Sequence, residues 1–188
     1  MFIGFMGAGK TTAARAAAAA LGARAVDSDQ LVEARIGKRI EDYFASHGEA
    51  AFRALEEEVV FELLARPPGP VISLGGGAVG SERVQAALAR HTVVLLDVDP
   101  ATAWHRAGGR RPLARDRDAF EALHAARRPL YDRIADVVLT DSSREVVRRA
   151  VPAIAALPPG TRMLWARSAS GEYPVYVGHG VLAAARTP

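Results

Sequence analysis

The chain has 188 residues, 49% hydrophobic and 24% charged, which suits one globular domain with room for an appendage. No run approaches ~18 uninterrupted apolar residues, so no membrane span is expected, and no basic stretch leads into a hydrophobic one as a secretion signal would. Cysteine is absent, which removes disulfides and thiolate metal sites and fits a cytoplasmic protein, and the net charge of +3 rests almost wholly on scattered arginines, which argues against nucleic acid as a partner.

In chain order, Met1-Phe2-Ile3 reads as a strand shorter than the usual ~5–6 residues, as though the N-terminus had been cut or misassigned. It runs into Gly4-Phe5-Met6-Gly7-Ala8-Gly9-Lys10-Thr11, which fits G-x-x-x-x-G-K-[ST] at every fixed position. Glycines let such a loop wind tightly, so that successive N–H groups cradle phosphate oxygens. Gly7, Ala8, Gly9, Lys10, Thr11 and Thr12 are therefore expected to hold a nucleotide, with Lys10 as a point charge on the β- and γ-phosphates and Thr11 as a Mg²⁺ ligand. The Ala-rich run 12–21 predicts a helix whose N-terminus favours anions. An ordinary glycine turn is the plainer alternative.

Residues 23–26 read as a short strand that delivers Asp27-Ser28-Asp29 at its C-terminal end, where open α/β sheets bind ligands. On an extended segment the two carboxylates share a side, one suited to water on Mg²⁺ and the other to accepting a hydroxyl proton. Alternatively the triplet only caps the next helix. Helices are expected over 31–36, 40–45 and 49–64, broken at Gly37 and Gly48, the last with Phe52, Leu55, Val59 and Leu63 on one apolar face. Glu56, Glu57 and Glu58 read as a solvated face, and Arg53 could equally be a surface residue.

After the connector 67–70, residues 71–74 suit a buried parallel strand ending in Gly75-Gly76-Gly77, which either presents bare N–H donors to a ligand or is a flexible turn. A helix follows over 81–89, then the most strand-like run in the chain, 92–98, and a helix over 101–106. Residues 108–118 have the composition of a hinged lid or of a solvated loop. A helix bearing Phe120, Leu123 and Arg127 is expected to run up to Pro129. Residues 137–139 make a fifth strand, and a helix over 143–156 closes the unit. Five short strands alternating with helices predict an α/β fold: a P-loop three-layer sandwich with a five-stranded parallel sheet flanked by helices.

Taken jointly, the phosphate loop, Asp27-Ser28-Asp29, Phe52-Arg53, Gly75-Gly76-Gly77, Arg111-Pro112-Leu113 and Arg127-Arg128-Pro129-Leu130-Tyr131 resemble shikimate kinase, from Phe2 to about Ala156. The resemblance implies transfer of the γ-phosphate of ATP to the 3-hydroxyl of shikimate, with Mg²⁺, in the route to aromatic amino acids. It implies that Lys10 and Thr11 serve ATP and Mg²⁺ and that Asp27 is the metal-side carboxylate. Asp29 would hold the shikimate hydroxyls and take the proton. Arg53 and Arg127 would grip the carboxylate beside the Gly75, Gly76 and Gly77 backbone, Arg111 would close on the transferring phosphoryl group, and Arg106 would pack on adenine.

Residues 1–157 would thus be the kinase-like domain. Pro158-Pro159-Gly160 reads as a linker, and two strands around a turn at Ser170-Gly171 form a C-terminal β-hairpin stub. That pair resembles the start of 3-dehydroquinate synthase, which would make 158–188 the truncated opening of a second, covalently fused domain. A hairpin packed on the kinase is the alternative. Competing functions are a gluconate or nucleoside-monophosphate kinase, a nucleotide-binding module without transfer activity, and a nucleic-acid-dependent ATPase, which nothing in the sequence recommends.

Overall fold

Short strands, three of the parallel ones (Val71–Ser73, Val94–Leu96 and Val137–Leu139) rich in Val, Ile and Leu, join into a single sheet in the computed structural model, which describes residues 1–65, 69–108, 116–179 and 181. Its strands are β1 (Phe2–Ile3), β2 (Ala25–Asp27), β3 (Val71–Ser73), β4 (Val94–Leu96), β5 (Val137–Leu139), β6 (Arg162–Ser168) and β7 (Gly171–Val177), in the order β2-β3-β1-β4-β5-β6-β7. The neighbours run parallel from β2 to β6, and β7 returns antiparallel to β6. The flanking helices are α1 (Lys10–Leu21), α2 (Ser28–Ile36), α3 (Ile40–Leu64), α4 (Glu82–Leu88), α5 (Pro100–Ala107), α6 (Arg117–Ile134) and α7 (Arg144–Ala155).

The two-residue β1 is nonetheless the middle of the parallel core. Phe2 faces Ser73 on one side and Val94 on the other, Ile3 faces Leu95, and both side chains are buried. The crossover from β1 leads out to β2 on one side and the crossover from β3 leads to β4 on the other, so the loops after β1 and β3 open where strand order reverses. That is where ligands settle in sheets of this kind.

Several expectations are corrected in detail. Asp29 is not on an extended segment, because α2 begins at Ser28 once Asp27 has capped it. Only Val94–Leu96 of the run 92–98 enters the ladder. Helix α6 continues through Pro129 to Ile134; a proline there removes one backbone donor, and packing of Tyr131 (3% exposed) holds the last turn regardless. The break expected at Gly48 is present, because its backbone leaves helical values (φ 78°) and α3 is two helical segments meeting at a kink there. The C-terminal hairpin continues the sheet, with Val137, Val138 and Leu139 opposite Met163, Leu164 and Trp165. Alternation explains the docking: Met163 and Trp165 are buried while Leu164, between them, is exposed.

Candidate active site

The phosphate-type loop is held in shape by its glycines. Gly7 (φ 81°) and Gly9 (φ 90°) occupy left-handed backbone, and a β-carbon on Gly7 would collide with the Ala103 carbonyl of α5. Gly9 caps α1 without any side-chain hydrogen bond, and no acid stands in the first turn, so no side chain of the cap or first turn competes with an anion for those amides. Lys10 is buried, and its Nζ donates to the carbonyls of Gly4 (2.9 Å) and Phe5 (3.1 Å). Thr12, by contrast, is exposed.

Asp27 caps α2 and also faces Thr11. Its Oδ1 accepts from the N–H groups of Asp29 (3.0 Å) and Gln30 (3.4 Å), while its Oδ2 accepts from Thr11 Oγ1 at 2.5 Å. A hydroxyl and a carboxylate thus meet beside the loop. That oxygen-only pair fits Mg²⁺, which keeps most of its water and takes one or two protein oxygens alongside phosphates. Among the described residues no cluster of three or more His, Cys, Asp or Glu forms a self-sufficient metal site.

A second constellation converges on Gly75-Gly76-Gly77. A β-carbon on Gly75 would collide with Asp29 Oδ1 and lie 2.7 Å from Glu56 Oε1, and one on Gly77 would collide with the Arg53 guanidinium. Arg127 Nη1 (3.2 Å) and the Tyr131 hydroxyl (2.9 Å) both donate to the Gly76 carbonyl. Burial raises the Tyr131 pKa, so the hydroxyl stays a donor. Lys10 Nζ comes within 3.8 Å of where a Gly76 side chain would begin, which joins this cluster to the phosphate loop. Asp29, Arg53 and Arg127 therefore share one region beside Lys10. The Gly75 N–H is not bare, since Ser28 Oγ accepts it at 2.8 Å.

Glu56 was missed as a functional residue. Far from lying on a solvated face, it is 3% exposed, and its Oε2 accepts from Arg53 Nη1 at 2.6 Å. Burial raises its pKa, opposed by Arg53. On the other edge of the same guanidinium, Arg53 Nε and Nη2 donate to the exposed Glu49 at 3.3 and 3.2 Å. Glu56 is thus the fixed anchor of Arg53, and Glu49 is a partner that an incoming carboxylate can displace. The spacing betrays Glu56: Phe52, Glu56, Val59 and Leu63 form one stripe, all buried. Glu57 is also engaged, accepting from Ser81 Oγ at 2.7 Å.

At the far side of the loop, exposed Arg106 donates to Ser142 Oγ at 2.9 Å, and a β-carbon on Gly9 would touch the same oxygen at 3.1 Å. Arg111 lies outside the described residues.

Comparison with known proteins gives the family. The shikimate kinase family model matches residues 6–155. A shikimate kinase of Thermobifida fusca is 43% identical over 81% of this chain and 94% of its own, and one of Mycobacterium tuberculosis is 46% identical over 77% and 84%. Among solved structures, shikimate kinase from Acinetobacter baumannii in complex with shikimate superposes with a TM-score of 0.75 at 30% identity, covering 82% of this chain and 91% of that one. The enzyme from Aquifex aeolicus gives 0.72 at 31% identity, covering 82% and 96%. With a phosphate loop, a paired-arginine cluster and matches of this extent, the chain belongs to the shikimate kinase family.

Proposed function

We propose that the chain transfers the γ-phosphoryl group of ATP to the 3-hydroxyl of shikimate, giving ADP and shikimate 3-phosphate. The observation that carries this reading is the convergence of Lys10, Asp29, Arg53 and Arg127 around Gly75-Gly76-Gly77. Such a surface suits a small acid-alcohol: two guanidinium groups match one carboxylate, and a carboxylate beside them accepts from hydroxyls.

Arg53 and Arg127 bind the substrate carboxylate, and the Gly76 and Gly77 backbone steadies it. Asp29 orients the 3-hydroxyl and accepts its proton as the oxygen attacks. The new O–P bond forms as the bond from the γ-phosphorus to the β,γ-bridging oxygen breaks, and ADP leaves with that electron pair. Lys10 holds the phosphates in line and offsets charge on the departing side, with Gly7, Ala8, Gly9, Thr11 and Thr12 lining the nucleotide. Arg111 closes over the transferring group, excluding water, and Arg106 packs on the base. Family membership implies a divalent ion. Thr11 and Asp27 are the residues suited to hold Mg²⁺, which when bound neutralises charge on the β- and γ-phosphates.

We further propose a cytoplasmic enzyme in which residues 158–188 are a linker and the truncated start of a covalently fused 3-dehydroquinate synthase-like domain. The family match ends at residue 155, and the hairpin beyond it exposes Leu164, Tyr173, Val175 and Val177, a face a further domain could cover. Among the described residues no helix is long and apolar enough to cross a membrane. Coupled measurement of ADP release with shikimate, gluconate and nucleoside monophosphates tests the main reading. Release that depends on shikimate alone is expected; turnover of another acceptor, or none, overturns it. The intact mass of the natively expressed protein tests the fusion.

A further inference from the structure

We propose that the hairpin β6–β7, outside the family match, is a working wall of the nucleotide site: Trp165, Arg167 and Glu172 close, with Arg106 and Ser142, a cavity that takes the nucleoside end of ATP. The proposal rests on the kinase reading above.

The cavity measures about 290 Å³, near the lower end of small-molecule sites, and is lined from three directions: α5 with the residues that lead into it, the loop after β5 with the first turn of α7, and the hairpin. It borders the phosphate loop, because Ser142 both lines it and stands 3.1 Å from the Gly9 β-position.

The charges on the lining distinguish which end of the ligand belongs here. Asp99, Asp141 and Glu172 all line the cavity, so a phosphate would meet three carboxylates. A neutral nucleoside meets instead acceptors for ribose hydroxyls and an exocyclic amine, together with the guanidinium planes of Arg106 and Arg167, on which a base can stack.

The hairpin's share is preorganised. Arg167 donates to Glu172 Oε1 from Nε (3.0 Å) and Nη2 (2.7 Å), and Nη2 also reaches Asp141 on the β5–α7 loop at 3.3 Å. Trp165 Nε1 donates to the other Glu172 oxygen at 3.3 Å. Arg167 and Glu172 are directly opposed across the two strands, so the register that docks the hairpin also aims the pair. This agrees with the hairpin opening a second domain: the same two strands would then join both units at the nucleotide.

The test compares ADP with tripolyphosphate, which needs the loop but not the cavity. Binding of each to the full chain is measured for the parent, Arg167→Ala and Glu172→Gln, with thermal melts as a fold check. In the two variants the ADP Kd should rise roughly tenfold, the size of one charged hydrogen bond lost, while tripolyphosphate and shikimate affinities hold. Unchanged ADP affinity in either folded variant overturns the proposal, and so does an equal loss for tripolyphosphate. Should Arg167→Ala fail to fold, Arg167→Lys with Glu172→Gln decides by the same contrast. Failure of the parent to turn over shikimate counts against the kinase reading and leaves the ADP-to-tripolyphosphate comparison intact. A second readout is Trp165 emission in a Trp104→Phe background, which ADP should shift and tripolyphosphate should not; Trp104 and Trp165 are the two tryptophans of the chain.

Discussion

The two ends of the cleft are built on opposite principles. At the acceptor end, charges are drawn into the interior and saturate one another: the Glu56 side chain is 4% exposed, that of Arg53 31%, and both press on glycines that leave no room for a side chain. At the nucleoside end the arginines stand at the rim, with the Arg167 side chain 63% exposed over a sheltered Glu172. A buried pair cannot lose one member without stranding the other, whereas a rim pair loses only what solvent has not already screened. The acceptor end should therefore be intolerant of change, and the nucleoside end adjustable.

The largest effect should come from Asp29→Asn. It keeps the shape beside Gly75 but removes the proton acceptor, so kcat should fall by about 10²–10⁴-fold while the ATP Kd stays within twofold. A variant retaining full kcat would move the base elsewhere. Arg53→Ala comes next: the shikimate KM should rise roughly 10–100-fold for the loss of charge-assisted hydrogen bonds. It should also lower the melting temperature, because Glu56 is left buried without its partner. Adding Glu56→Gln to Arg53→Ala should recover most of that stability and none of the KM. Equal recovery of both would mean that Arg53 acts on structure rather than on substrate.

This contrast also explains what could be read from the sequence. The loop and the parallel core were legible, because each carries its own local geometry. The grouping of Asp29, Arg53, the glycine triplet and Arg127 came only from the family resemblance, and Asp29 sits on a helix instead of the extended segment expected. The hairpin's attachment was not legible. Nothing in Met163-Leu164-Trp165 says whether its ladder partner is Val137-Val138-Leu139 or a strand of another domain, since strand pairing is settled by distant partners. Pro129 suggested a helix end because proline is costly in a helix interior; burial of Tyr131 beyond it prevailed. Glu56 was legible and overlooked. A run of three glutamates looks solvated, yet only the middle of an apolar stripe fits the first of them.

Glu56 supplies the finest cut between the two ends, through pH. Burial raises its pKa above the value it has in the unfolded chain. Between those two values the folded protein binds more protons than the unfolded one, so this residue's contribution to stability declines as pH rises through that window. Its slope can approach about 1.4 kcal/mol per pH unit and no more. Gln cannot titrate, so the stability of Glu56→Gln relative to the parent should climb with pH across that range and then level off. Arg167→Ala should show no such climb, since Glu172 is held below its ordinary pKa by the Arg167 hydrogen bond, the opposite sign. Denaturant melts at half-unit pH intervals check both. A flat difference for Glu56→Gln would mean that Arg53 fully offsets the burial of this carboxylate, and the acceptor end would then be no more strained than the rim.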